Sequence, residues 1–187
     1  MKIEEIYGNL PTLETERLFL RKIKTDDLED MFIYGSNANV TKCVTWNTHQ
    51  TRADTKEFID FALDNYKNKQ VAPWGIEMKG EQKLIGTIDF VWWKPVHKTA
   101  EIGYVISEDY WGKGITTEAV KRLIEFGFRN MELFRIQAKC FVENIGSQRV
   151  MEKAGMSYEG TNRKDMLVKG IHRDLKVYSI LKEEFQG

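Results

Sequence analysis

Between residues 107 and 118 the chain reads Ser-Glu-Asp-Tyr-Trp-Gly-Lys-Gly-Ile-Thr-Thr-Glu, and these residue types suit the binding of an anion. Glycine at 112 and 114 lets oxygen atoms approach the main chain without meeting a Cβ. The first turn of a following helix presents unpaired N–H groups, and its dipole favours negative charge. Lys113 adds a cation, and Thr116 and Thr117 add hydroxyl donors. A P-loop is excluded, because its lysine follows the second glycine, whereas Lys113 lies between the two. A dinucleotide fingerprint fits poorly. Thr117 occupies the third glycine position, four residues separate the turn from the preceding strand, and the nearest strand-end acid, Glu143, is too distant. Spacing alone leaves two readings open, a phosphate cradle and a plain helix-initiating turn.

The other reactive side chains are scattered. His49, His97 and His172 have no zinc-ligand spacing, and Cys43 and Cys140 form no C-x-x-C pair, so no metal centre is expected. Cys140 lies in an apolar alternating run and reads as a small core residue.

The glycine turn must be held by its neighbours. Residues 16–23 alternate with period two and predict a strand. Thr25 and Thr51 each precede an acidic first turn and predict two helices. The runs Pro-Trp-Gly-Ile-Glu-Met-Lys and Lys-Leu-Ile-Gly-Thr-Ile-Asp-Phe-Val-Trp-Trp flank Gly80-Glu81-Gln82 and predict a hairpin. Residues 98–107 predict a third strand of the same meander. Residues 115–131 place Ala119, Val120, Leu123, Ile124, Gly127, Phe128 and Met131 on one helical face. A strand over 134–142 completes a β-α-β unit with parallel strands. A helix over 145–154 stops at Gly155, and a closing hairpin turns near Lys169-Gly170. The expected class is α/β of the α+β type, ordered β-αα-βββ-α-β-α-ββ around one mixed, mostly antiparallel, twisted sheet.

The chain has 187 residues, few prolines and no detectable repeat, which predicts one domain over 1–187. Lys plus Arg and Asp plus Glu both number 28, so no broad basic face for nucleic acid is implied. No apolar run approaches membrane-spanning length, and glutamates stand where a signal peptide would be apolar. A cytoplasmic protein with neither nucleic acid nor membrane as partner is expected.

Five segments in order resemble the GNAT superfamily of acyl-CoA-dependent N-acetyltransferases, in particular its RimJ/RimL-like branch of ribosomal-protein N-terminal acetyltransferases. They are LETERLFLRKIKTDDLEDMF, IGTIDF, AEIGYVISEDYWGKGITTEAV, VENIGSQRVMEKAGMSYEG and GIHRDLKVYSI, which together span almost the whole chain. The resemblance implies the GNAT fold and acetyl-CoA (coenzyme A) as donor, with no metal. It implies direct transfer in a ternary complex to a primary amine, foremost a protein N-terminus. The alternatives are a small-molecule amine acetyltransferase (polyamine, antibiotic or amino-acid analogue) and a coenzyme A-binding protein without turnover. A homodimer is compatible with the branch.

The resemblance also assigns residues. The pyrophosphate turn becomes Trp111, Gly112, Lys113, Gly114, Ile115 and Thr116, followed by Thr117. Trp111 and Thr116 depart from the family pattern Q/R-x-x-G-x-G/A. The pantetheine arm is expected between the strands ending at Ile106 and Phe141, bonded to the main chain near Val105 and Ile106. Asn144 stands where the family places a cofactor-binding amide, although an N-cap is its ordinary use. Glu101 is implied as base, directly or through water; Asp89 is the second candidate, and water alone is the third. Met151 occupies the place of the usual tyrosine acid, so Ser147 is nominated as acid and as a coenzyme A contact. Strand alternation puts Phe90 and Trp92 on one face and Trp93 on the other, one face core and one a pocket wall, with Asp174 and Tyr178 as further wall candidates.

Overall fold

Period-two runs and capped amphipathic runs fix the element order in the computed structural model, which describes residues 2–186. The strands are β1 (Leu13–Glu14), β2 (Leu18–Arg21), β3 (Trp74–Met78), β4 (Lys83–Lys94), β5 (Thr99–Ile106), β6 (Arg135–Phe141), β7 (Ser157–Val168) and β8 (Ile171–Leu181). The helices are α1 (Ile3–Tyr7), α2 (Leu28–Gly35), α3 (Ala38–Thr41), α4 (Arg52–Lys67), α5 (Ile115–Asn130) and α6 (Ile145–Lys153). Asp54 Oδ2 accepts from the N–H groups of Thr51 and Gln50 at 2.9 and 2.8 Å, which starts α4. The short elements α1, β1 and α3 carry too little periodicity to be read in advance.

One eight-stranded sheet runs β1-β2-β3-β4-β5-β6-β8-β7. Its neighbours are antiparallel except β5 and β6, the pair joined by the α5 crossover. The expected architecture is therefore present. On one face α5 buries Ala119, Leu123 and Ile124 against a cluster holding Ile88, Phe90, Ile102 and Ile136. On the other, α2 and α4 bury Met31 and Ile59 against Ile23 and Leu84, with Val105 at the margin. β5 alternates between these faces, so Ile102, Tyr104 and Ile106 turn toward α5 while Glu101, Gly103 and Val105 turn away.

Simple alternation fails at one place. The β4–β5 register shifts between Phe90 and Trp92, and this bulge returns Trp93 to the face of Phe90. Phe90 and Trp93 are both buried in the α5-side core, and Trp92 is left half-buried with Lys94 over its ring.

Candidate active site

The parallel pairing of β5 with β6 runs from Thr99↔Arg135 to Ile102↔Ala138 and stops. Both strands continue, to Ile106 and Phe141, so a gap opens between them. On the other side β5 stays paired with β4 through Gly86↔Ile106. Ser107 N–H donates to Ile85 O at 2.7 Å, which sets the antiparallel alternation. Val105 therefore exchanges its main-chain bonds with Thr87, and Tyr104 and Ile106 turn their peptide groups away from β4 toward the gap. Of the two residues expected to bond a pantetheine arm, Ile106 presents its peptide there and Val105 does not. Tyr104 presents its peptide there instead. The Ile106 carbonyl already accepts from Trp111 Nε1 at 3.0 Å, and its N–H meets no protein acceptor among the described residues.

Beyond β5 a short 3-10 turn, Glu108–Tyr110, leads to the glycine turn. Gly112 and Gly114 have φ of +71° and +75°, a region that costs a Cβ-bearing residue energy. The first bond into α5 runs from Glu118 N–H to Gly114 O at 3.0 Å. Among the described residues, no protein acceptor meets the N–H groups of Gly112 through Thr117. Six consecutive donors at a helix start form a cradle suited to a polyanion. Ile115 and Thr116 bury their side chains, so their share in it is main-chain.

Arg17 fixes this turn from β2's approach, and nothing in local sequence marks it. Its Nε donates to Glu118 Oε2 at 2.7 Å and its Nη1 to Lys113 O at 3.1 Å. Glu118 Oε1 also accepts from Thr15 Oγ1 at 2.6 Å and Arg17 N–H at 2.9 Å. Burial opposes ionisation of Glu118, but these bonds outweigh it and hold the carboxyl below its usual range.

Across the gap, Asn144 caps α6, its Oδ1 accepting from Ser147 N–H at 3.1 Å. Its amide nitrogen has no partner among the described residues and remains available as a donor. Ser147 Oγ lies 2.7 Å from Tyr104 Oη. The Cys140 thiol also faces this hydroxyl, and burial pushes it up to about 11. Met151 is fully buried in the core, and the phenol beside Ser147 is that of Tyr104 from β5. Burial outweighs the Ser147 bond and keeps Tyr104 protonated well above its ordinary range. Tyr104 was legible in principle, since alternation puts it on the α6 side.

Glu101 lies on the opposite face, where the strands still pair. Its Oε2 accepts from Gln137 Nε2 at 2.6 Å. A shallow pocket of about 300 Å³ adjoins it, lined by Arg135, Gln137, Lys139, Glu159, Gly160, Asn162 and Val177. Asp89, paired with Gly103 in register, shares this face. Tyr178 does not: it is buried on the α6 side, donating to Glu152 at 3.2 Å. Asp174 accepts from Lys164 N–H at 2.9 Å and braces the bulge in β7. The expected wall residues are thus an α6 contact and a hairpin brace. Among the described residues no group of His, Cys, Asp and Glu is placed to hold a metal, and no helix is long and apolar enough to cross a membrane.

Residues 17–157 match the family model described as an acetyltransferase (GNAT) domain. The uncharacterised N-acetyltransferase YoaA of Bacillus subtilis is 36% identical over 172 residues, covering 92% of this chain and 97% of its own length. A GNAT-family acetyltransferase from Bacillus anthracis superposes with a TM-score of 0.83 at 34% identity, covering 92% of this chain and 99% of that one. The ribosomal-protein-serine acetyltransferase of Escherichia coli is 35% identical over 99 residues, or 53% of this chain and 55% of its own.

Proposed function

From the premise that the chain belongs to the GNAT family and is an N-acetyltransferase drawing on acetyl-CoA, we propose that its acceptor is a protein N-terminal α-amine. The whole of residues 1–187 acts as one unit, and transfer is direct within a ternary complex. The observation that carries the donor part of this reading is the unpaired N–H row at 112–117, which lies at the same end of β5 as the β5–β6 gap. The row, Lys113 and Arg17 suit a pyrophosphate, and the peptide groups of Tyr104 and Ile106 suit an amide-bearing arm. The free Ile106 N–H is a fixed donor for a carbonyl oxygen that gains charge. Asn144 Nδ2 supplies a further bond, and Ser147, backed by Tyr104, supplies a proton to the departing sulfur.

An α-amine suits this site chemically. Its pKa near 8 leaves about one molecule in ten neutral at pH 7, against about one lysine in 2,500. The Escherichia coli relative named for a ribosomal protein supports the same acceptor class. The rival acceptor is a small amine, as in the spermidine N(1)-acetyltransferase of Escherichia coli, 24% identical over 155 residues. The test is mass spectrometry of cell protein extracts after incubation with the enzyme and labelled acetyl-CoA, beside a panel of small amines. Label on protein N-termini is expected. Label confined to the small amines would overturn the acceptor, and tight coenzyme A binding with no label anywhere would favour a protein that binds without turnover.

A further inference from the structure

The two substrates of a direct transfer must reach one carbon from different directions. The cradle at the start of α5 and the Asn144–Ser147 cap of α6 both lie on the α5/α6 side of the sheet, so the donor occupies that side. The acceptor is left the other side, where Asp89, Val91, Glu101 and Gly103 present themselves beyond the cover of α2 and α4. Val91 is 54% exposed there.

Two carboxylates on that face differ in place and engagement. Glu101 is opposite Gln137, within the segment where β5 and β6 still pair, and it is held by that glutamine. Asp89 is opposite Gly103, the first residue after the last pair Ile102↔Ala138, which is where the gap opens. Glycine there leaves room for it: a Cβ at 103 would lie 3.3 Å from Asp89 Oδ1 and 2.5 Å from Val91 Cγ2. No cation and no hydrogen bond reaches the Asp89 carboxyl among the described residues. A half-buried acid without a partner is costly to fold, and a role in proton transfer gives this one a reason.

We propose that Asp89, and not Glu101, receives the proton of the acceptor amine. The proposal rests on the N-acetyltransferase reading and names the base within it. The ammonium gives one proton to the Asp89 carboxylate, which passes it to solvent. The nitrogen lone pair then forms the C–N bond to the thioester carbonyl carbon, and the C–S bond breaks. The second amine proton replaces the one that Ser147 gives to the sulfur. Burial pushes Asp89 up to about 7, close to an α-amine, the match that makes proton transfer effective. The ionisable groups around it do not compete. Tyr7 from α1 and Tyr66 from α4 feel its charge and are themselves held neutral by burial, and Glu101 stands two positions along β5.

The test compares wild type, Asp89→Asn, Asp89→Glu and Glu101→Gln, with acetyl-CoA and either a peptide beginning with serine or spermidine. The readouts are kcat/KM from pH 5.5 to 9 and coenzyme A affinity. The asparagine variant should lose about 100-fold or more in kcat/KM, in the range of general base catalysis, and lose the limb that rises near neutrality. Asp89→Glu should recover part of the rate and the limb. Glu101→Gln should stay within about tenfold and keep the limb, and all four should bind coenzyme A alike. An Asp89→Asn enzyme that keeps both rate and limb overturns the proposal, as does equal loss in the asparagine and glutamate variants or removal of the limb by Glu101→Gln. A wild type that acetylates neither acceptor overturns the functional reading as well, so the two failures are distinct.

Discussion

Gly86→Ala is the sharpest test of how β4 shapes the gap. Gly86 pairs with Ile106, the last residue of β5. A methyl group there would press on the Val105 carbonyl and stand 2.9 Å from Ile106 Cα. Both obstacles are main chain, so no side chain can swing aside. Ordinary contact begins at 3.4 Å, so Ile106 Cα alone must retreat by about 0.5 Å. That retreat strains the bonds of Val105 with Thr87 and of Ser107 with Ile85. Overpacking costs about 1–3 kcal/mol, and two weakened ladder bonds add about 1 kcal/mol each. The sum, about 3–5 kcal/mol, is a large part of a typical stability of about 5–15 kcal/mol. The same shift carries the peptides of Tyr104 and Ile106 into the gap, so coenzyme A affinity should fall by about tenfold or more, equivalent to about 1.4 kcal/mol. The assay is urea unfolding at constant m-value together with calorimetric titration of coenzyme A. Gly80→Ala is the control, since a Cβ at 80 meets nothing within 4 Å. If Gly86→Ala matches Gly80→Ala in both measurements, the account of the gap's β4 wall is wrong.

Other outcomes follow from the same geometry. Gly114→Asp should weaken coenzyme A binding by about 100-fold, because a carboxylate competes for the N–H row; Gly114→Ala, which adds only strain at positive φ, should lose far less. Glu118→Ala removes three anchoring bonds and should cost about 1–3 kcal/mol of stability and about tenfold in coenzyme A affinity by titration. Because the Glu118 carboxyl is held below its usual range, its contribution is present at neutral pH and is lost as the solution is acidified through that lowered value. Asp89 has the opposite sign. Its folded value lies above its unfolded one, so folding stability falls as pH rises from about 4 to about 7. Asp89→Asn should match wild type near pH 4 and exceed it by up to about 4 kcal/mol above pH 7 in urea midpoints. Ser147→Ala should lower kcat about 10- to 100-fold at nearly constant coenzyme A affinity; a loss of affinity alone would assign Ser147 to making room.

The fold was legible wherever one residue could be judged against its own neighbours. Alternation gave β2 through β8, Thr51 marked the start of α4, and the 115–131 stripe gave the crossover that makes β5 and β6 parallel. Thr25 instead lies within a 3-10 turn, and α2 begins after Asp27. The Phe90–Trp92 bulge escaped because an added residue leaves composition unchanged and reverses only the facing of the residues after it. The proposed donor half of the site rests on signals of the same local kind, since Gly112 and Gly114 adjoin the start of α5 and Asn144 adjoins the start of α6. The Arg17–Glu118 clamp spans 101 positions, and only the folded sheet brings its ends together. Val105 and Tyr104 differ by one position. Which of them faces the gap depends on pairing phase with β4, which Ser107 and Ile85 set.

β8 lies between β6 and β7 rather than at the sheet's edge, and Lys169 Nζ at the head of its hairpin donates to Thr41 O at 2.6 Å. The far wall of the gap therefore gains its outer neighbour from residues 171–181, and the C-terminal end of α3 is tied down from residue 169. During vectorial synthesis the β5–α5–β6 crossover emerges with one flank of β6 bare. Completion of this wall waits for the last strand to leave the ribosome and insert between two strands already made. Until β8 arrives, Arg135 and Lys139 put positive charge on the bare edge strand β6, a feature that discourages pairing with another chain.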